Sequence, residues 1–358
     1  MTMNVVQLVS NRVWGGGERY VLDLCKALRD NGHSVAVITR GKKEVNSRFI
    51  EAGFNPGRLP LRGRFDFISP VVLARVLNRI EAPVVVHAHN FKDADTAVRA
   101  RRLMSDPSKV RIVVTRHLIK PASTGAYARE LYGAIDDIIF VSDAARQGFL
   151  SSKPAVDASK LHVVHNALTP DSAPAPMPRK DAEIRVAFAG RINPEKGLDT
   201  LFQAISDVPG VNLYIAGSGQ ARYVGTLLRL AARLGIADRV EWLGQLPDVR
   251  PLFESADIGV VPSVVAESFS LAALEMLQAG LPVVASATGG LCEVLEDGSS
   301  AILVPPGNAP ALAEAISRLA ADKALRAEMA AAARKRAELF SYDRFYDAIT
   351  DIYTANGR

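Results

Sequence analysis

Cysteine is nearly absent from this chain of 358 residues, with two copies in all. Cys25 and Cys292 fall one in each half, both inside apolar helical patterns, so a disulfide scaffold and a Cys-rich metal site are excluded and each reads as a buried thiol. Aromatic residues are also scarce, at 6%, and no basic surface is interleaved with them, which removes the stacking platform of a nucleic-acid binder. No apolar run approaches the roughly 20 residues of a membrane-spanning helix. The chain passes from Met1 into the strand-like Val5–Val9 without the basic region and long apolar stretch of a signal peptide, so the cytosol is expected. No Ser-His-Asp grouping with supporting context is present, which leaves a hydrolase without its nucleophile.

What is present is length, alternation and an uneven charge. The chain exceeds what one hydrophobic core usually organises, so two domains are expected. Short apolar runs at Val5–Val9, Val35–Thr39, Val84–His87, Val110–Thr115, Ile138–Val141 and Leu161–Val164 alternate with helical patterns such as Gly17–Asp30 and Asp143–Leu150. A second set follows at Val186–Ala189, Leu213–Ala216, Val240–Leu243, Ile258–Val261, Val283–Ala285 and Ile302–Val304. Continuous Val/Ile runs are the mark of parallel strands covered on both faces, so each half predicts a doubly wound α/β sheet. Leu168–Pro178 carries four prolines and reads as an extended linker. After it, an Ala-rich helix over 324–339 precedes an amphipathic one over 341–353, with Phe345, Ile349 and Ile352 on one face. The domains expected are therefore 1–167 with the last helix, about 341–358, then a linker over 168–179 and a second domain over 180–340.

Residues 1–180 carry 27 Lys and Arg against 16 Asp and Glu, a net +11, and the remainder carries a net −6. A basic first half suggests an anionic acceptor or membrane surface, and a solvated face reads equally well. Arg58, Arg62 and Arg64 stand beside Phe65, Phe67 and Ile68 in a loop-to-helix stretch. Two readings stay open there: a border of the acceptor entrance that touches anionic membrane or a phosphorylated acceptor, or core packing by the aromatics with incidental arginines.

The most informative segment runs from Pro262 to Glu275. It ends a buried strand and opens a helical pattern near Phe269, so the unpaired N–H groups of Phe269, Ser270 and Leu271 are expected to face the carboxyl edge of a sheet, where a diphosphate can dock. Glu267, just ahead of the helix, can accept from sugar hydroxyls, and Glu275, about two turns in, from the paired hydroxyls of a ribose. Arg191 and Lys196 follow the strand Val186–Ala189, where two cations can offset the charge of a leaving diphosphate without a metal. Gly15-Gly16-Gly17 and Gly217-Ser218-Gly219 each follow a strand, but neither has the full dinucleotide spacing. His87 and His89 alternate along a strand end and are expected on opposite faces, unable to share an ion. Asp93-Ala94-Asp95 reads as a helix start.

In order and spacing these pieces resemble glycosyltransferase family 4, over nearly the whole chain. The likeness rests on Gly15-Gly16-Gly17-Glu18-Arg19, His87-Ala88-His89, Thr115-Arg116-His117, Phe140-Val141-Ser142 and Val163-Val164-His165-Asn166. It continues with Ala189-Gly190-Arg191, Glu195-Lys196-Gly197, Ala216-Gly217-Ser218-Gly219, the two glutamates, Ala279–Val284 and Gly289-Gly290. Ala167, Ser268 and Ser270 depart from it, standing where the family often has glycine. The resemblance implies a GT-B fold, two Rossmann-like domains facing each other across a cleft, an acceptor domain first and a donor domain second. It implies a metal-independent, retaining hexosyltransferase that moves sugar from a UDP- or GDP-sugar to a hydroxyl of a glycan, lipopolysaccharide or lipid-linked acceptor, with no further cofactor. Arg191, Lys196, Glu267 and His117 then serve catalysis, while Gly16, Gly17, Gly217, Gly219, Phe269, Ser270, Leu271 and Glu275 bind the donor. An epimerase or hydrolase on the same fold would need its own acid/base pair, and none stands out. A non-catalytic sugar-nucleotide-binding protein is disfavoured by the intact Arg191, Lys196, Glu267 and Glu275.

Overall fold

A computed structural model describes residues 2–169, 175–179 and 184–355. Part of the proline-rich stretch, residues 170–174, and the start of the expected second domain, residues 180–183, lie outside the described residues. The chain divides into two compact units, Met1–Asn166 with Tyr342–Arg358, and Ala167–Ser341.

Among its described residues the first unit holds seven strands, β1 (Asn4–Val9), β2 (Ser34–Thr39), β3 (Gly57–Arg58), β4 (Val84–Ala88), β5 (Val110–Arg116), β6 (Asp137–Phe140) and β7 (Leu161–Val163). They form one parallel sheet in the order β3-β2-β1-β4-β5-β6-β7. The second holds β8 (Ile184–Ala189), β9 (Val211–Ala216), β10 (Val240–Gly244), β11 (Ile258–Val261), β12 (Val283–Ser286) and β13 (Ala301–Val304), again parallel, in the order β10-β9-β8-β11-β12-β13. In both, chain order reverses beside the first strand, between β1 and β4 and between β8 and β11. Such a switch point opens a crevice at the carboxyl ends of the strands.

The second sheet shows why its strands read as unbroken apolar runs. On β8, Val186 and Phe188 join a core with Leu201, Phe202 and Ile205 of the helix Leu198–Ser206. The alternate residues Ala187 and Ala189 join a separate core with Leu274, Met276 and Leu277 of the helix Leu271–Gln278. Val186–Ala189 thus feeds a core on each face and reads as an unbroken apolar run, while the strand's polar residue, Arg185, is buried only because its guanidinium donates to Ser255 Oγ and the Pro178 carbonyl.

The last helix, Tyr342–Thr354, belongs to the first unit. Its Phe345, Ile349 and Ile352 are all buried, as their shared face requires. Tyr342 Oη donates to the Asp23 carbonyl at 2.9 Å, and Tyr346 Oη and His33 Nε2 lie 2.8 Å apart. Cys292 departs from its expected burial. It sits on a four-residue helix, Leu291–Val294, whose Leu291 and Val294 turn inward and leave the thiol exposed, whereas Cys25 is buried. Among the described residues no helix is long and apolar enough to cross a membrane.

Ile349→Ala should cost about 2–5 kcal/mol of first-unit stability in urea unfolding, against less than about 0.5 kcal/mol for the exposed Asp347→Ala. Equal, small effects would mean that the last helix is not part of that core.

Candidate active site

At the carboxyl edge of the second sheet, four loops meet. The loop after β8 turns through Gly197, whose φ of +67° and close approach to the Pro262 carbonyl, 2.0 Å from where a Cβ would stand, admit only glycine. It ties to the loop after β11 where the Val264 N–H donates to the Glu195 carbonyl at 2.9 Å. Gly217, after β9, has φ +146°, and a Cβ there would stand 1.9 Å from the Gly190 carbonyl oxygen. Beside it Ile192 N–H donates to the Ser218 carbonyl at 2.8 Å, and Ile192 and Gly219 form a parallel bridge. Arg191 is thereby fixed between the β8 and β9 loops. Its side chain is exposed and makes no ion pair or hydrogen bond among the described residues.

Lys196 and Glu267, 71 residues apart, meet across the switch point, with Lys196 Nζ donating to Glu267 Oε1 at 2.8 Å. The pair is mostly sheltered, at 23% and 10% side-chain exposure, so its Coulomb attraction is less screened than that of a surface pair. Ser263 Oγ donates to the same oxygen. With Oε1 held by two donors, Oε2 of Glu267 is the oxygen left for a ligand. The Gly290 N–H, after β12, donates to the Glu267 carbonyl at 2.6 Å and fixes its backbone as well.

The helix carrying Glu275 spans Leu271–Gln278, two residues later than the apolar pattern suggested. Ser270 is its cap, with Oγ accepting from the Ala273 N–H at 3.3 Å. The N–H groups of Leu271 and Ala272 therefore lack intrahelical partners, and those of Phe269 and Ser270 precede the helix. Phe269 looks helical in the sequence because it is apolar. Its ring instead packs edge-on against Phe340, 6.0 Å between centroids. Glu275 is half-buried on the second turn.

Gly16, Gly17 and His117 lie in the first unit. The helix Gly16–Asp30 starts directly after the Gly15 cap, and Gly17 faces the His117 ring, 3.9 Å from where a Cβ would stand. Tyr20 of the same helix makes edge contacts with His117 and His89, at centroid distances of 4.9 and 5.7 Å. His87 and His89 do not face opposite ways. Residues two apart on a strand share a face, and the two rings lie 4.4 Å apart. His87 bridges Tyr353 Oη at 2.6 Å and Thr115 Oγ1 at 2.7 Å. Gln7 Oε1 accepts from His89 Nε2 at 2.8 Å, so Nδ1 of neutral His89 accepts from His117 Nε2, 3.4 Å away. Sequence reasoning missed Ser263, Gln7 and Tyr353, because each acts through another side chain rather than through a motif. Asp93 and Asp95 do start a helix, Phe91–Arg102, with the Asn90 side chain accepting from the Asp93 N–H.

Residues 14–172 match the family described as Glycosyltransferase Family 4, and residues 172–336 match Glycosyl transferases group 1. The chain belongs to glycosyltransferase family 4. A D-inositol 3-phosphate glycosyltransferase of Mycolicibacterium smegmatis is 31% identical, over 95% of this chain and 86% of that one. One of Xylanimonas cellulosilytica is 30% identical, over 95% and 91%. Among solved structures, Anabaena Alr3699/HepE in complex with UDP has a TM-score of 0.84 at 20% identity, covering 99% of this chain and 100% of that one. A glycosyltransferase from Rickettsia africae has 0.84 at 18%, with the same coverage. At those identities the structures establish the fold, GT-B with two Rossmann-like domains. The family establishes glycosyl transfer.

Two expectations follow for this glycosyltransferase. Because Lys196 and Glu267 share one contact, Lys196→Ala and Glu267→Gln should not add. A double-mutant cycle on kcat/KM should give a coupling of about 1–2 kcal/mol, and strict additivity would show that the pair does not act as a unit. Burial holds His87 down to about 3 and His89 well below its ordinary value, and nearby histidine charge lowers both further. His117, partly open to solvent, is pushed by burial to about 4. All three are neutral in the folded state, while the unfolded chain takes up protons below about pH 6.5. Their stabilisation is therefore full above about pH 6.5 and falls as pH drops toward their folded values. Asp93, raised to about 6 chiefly by burial, acts the other way with a single proton. The first unit should lose melting temperature between about pH 7 and pH 5, with a shallower slope in His87→Asn. A flat profile would contradict the buried, neutral cluster.

Proposed function

We propose that this glycosyltransferase moves a hexose-type sugar from a UDP- or GDP-sugar to a hydroxyl of an anionic acceptor, a phosphorylated glycan, lipopolysaccharide or lipid-linked molecule. The anomeric configuration is retained and no metal takes part. One observation carries the reading: Lys196, on the loop that also presents Arg191, is paired with Glu267 across the β8/β11 switch point, beside the open N–H groups of Leu271 and Ala272.

The chemistry follows from those groups. Breaking the sugar–phosphate bond places the electron pair on the diphosphate oxygen, and the charge that grows there is met by Arg191, Lys196 and the helix N-terminus. Lys196 has two further N–H bonds to offer beyond the one to Glu267. Glu267, oriented by Lys196 and Ser263, presents Oε2 to a sugar hydroxyl, and Glu275 serves the ribose. The acceptor hydroxyl attacks on the face the diphosphate leaves, and its proton passes to the departing oxygen, so a separate base is not needed. His117 orients the transferred sugar or the acceptor.

The complexes of Anabaena Alr3699/HepE with UDP and with UDP-glucose support a uridine donor. The relatives named for inositol 3-phosphate, together with the +11 of residues 1–180, support an acceptor that bears phosphate. Two unpaired cysteines fit a cytoplasmic setting, where building cell-envelope glycans draws on sugar nucleotides.

Calorimetry separates the two glutamates. Glu275→Gln should weaken binding of the free nucleoside diphosphate by about tenfold, while Glu267→Gln spares it and weakens the intact donor. Turnover should survive EDTA, and the product anomer seen by NMR should keep the donor's configuration. Equal losses in both variants, EDTA inactivation reversed by Mg²⁺, or an inverted product would each overturn its part of the reading.

A further inference from the structure

The apolar residues beside Arg58, Arg62 and Arg64 are not core residues. Phe65 is 79% exposed, Phe67 73% and Ile68 63%, in and after a short 3-10 turn at Gly63–Phe65. This turn is rigidly built. Asp66, buried at its centre, accepts from the N–H groups of Arg62, Ile68 and Ser69 at 2.8, 3.1 and 2.9 Å, and from Ser69 Oγ at 2.6 Å. With Asp66 pointing in and used up by the turn, its neighbours on either side point out. Large apolar groups held in water by a well-bonded turn lose hydrophobic stabilisation that only an occupant can return.

The exposed surface continues along the helix Ser69–Leu77. Val71, Arg75, Val76 and Arg79 follow Ile68 at helical spacing and are all exposed. On its flank, a shallow cavity of about 350 Å³ is lined by Phe67, Pro70, Val71, Arg99, Arg102 and Leu103. Residues 58–79 contain five arginines and one acid, the buried Asp66. Arg64 stacks over Tyr127 at 4.6 Å, and Arg99 lies over Phe67 at 5.4 Å while donating to the Arg64 carbonyl at 3.1 Å, which stiffens the patch further. Arg102 is partly offset by Glu130, 2.9 Å away.

We propose that this face of the first unit docks on an anionic phospholipid surface, with Phe65, Phe67 and Ile68 entering the acyl boundary and the arginines meeting headgroup phosphates. Charge complementarity selects this occupant. Arg99 is paired with Asp95 at 3.7 Å, as Arg102 is with Glu130, so the free charge lies on Arg62 and Arg64, which make no ion pair among the described residues. Apolar side chains flanked by these match an interface that is apolar below and negative at the headgroups, and each cation near such a surface adds about fivefold to partitioning. The inference stands apart from the proposed donor and acceptor chemistry, since sugar transfer to a soluble acceptor does not require the patch.

Co-sedimentation of the full chain tests it, using vesicles of phosphatidylcholine alone and mixed with phosphatidylglycerol. The chain should pellet with the mixed vesicles, weaken as salt is added, and ignore the neutral ones. Phe65→Ser/Phe67→Ser/Ile68→Ser should lose about tenfold or more in partitioning at low salt. Arg62→Ser/Arg64→Ser should lose at least about tenfold. Both variants should keep the wild-type melting temperature, because the side chains removed are exposed. Failure to bind mixed vesicles at low salt, equal binding to neutral vesicles, or wild-type partitioning in either variant would overturn the proposal, and a partner protein would then be the occupant to seek.

Discussion

Backbone packed directly on backbone is the constraint on which the second unit's site depends. Where Gly217 lies against the Gly190 carbonyl and Gly197 against that of Pro262, no side chain fits between the loops, and they close to hydrogen-bonding distance. That closeness brings the loop after β8 onto the loop after β11 and lets Lys196 reach Glu267. A single Cβ at Gly197 would push the loops after β8 and β11 apart by more than an ångström, enough to break a contact of 2.8 Å. The ion pair in turn orients the carboxylate, so the chemistry rests on packing that involves no chemical group of its own.

The two switch points are built differently. In the second unit charge is concentrated at the edge, with Arg191, Lys196 and Glu267 on adjoining loops. In the first, the helix after β1, the end of β4 with the residue that follows it, and the residue after β5 bring together neutral rings, Tyr20, His87, His89 and His117, joined by hydrogen bonds to Gln7, Thr115 and Tyr353. Tyr353 comes from the last helix, 266 residues from His87, so the chain's end stabilises the surroundings of His117. Burial without a counter-charge keeps those rings neutral, which suits hydrogen bonding to hydroxyls rather than to phosphate.

Much of this was legible in the sequence. Strands such as Ile258–Val261 could be read because cores on both faces demand unbroken apolar runs, and the buried face of the last helix because its period is helical. What failed did so for physical reasons. β3 is only two residues, Gly57–Arg58, and has no pattern to read. Phe269 is apolar for packing on Phe340, not for helix formation. His87 and His89 were misassigned by geometry, since a two-residue step returns to the same face. Cys292 sits in a helix too short for its neighbours' apolar pattern to bury it. The Lys196–Glu267 contact had no local signal at all, because only the fold closes 71 residues into 2.8 Å.

The central claim is that the edge around β8 and β11 holds the donor's diphosphate. A crystal structure of the full chain with an intact uridine diphosphate sugar tests it most directly. The account predicts phosphate oxygens within hydrogen-bonding reach of Arg191, Lys196 and the Leu271 or Ala272 N–H, with a sugar hydroxyl on Glu267 Oε2 and ribose hydroxyls on Glu275. A nucleotide bound elsewhere, or a diphosphate that leaves both Arg191 and Lys196 untouched, would contradict it.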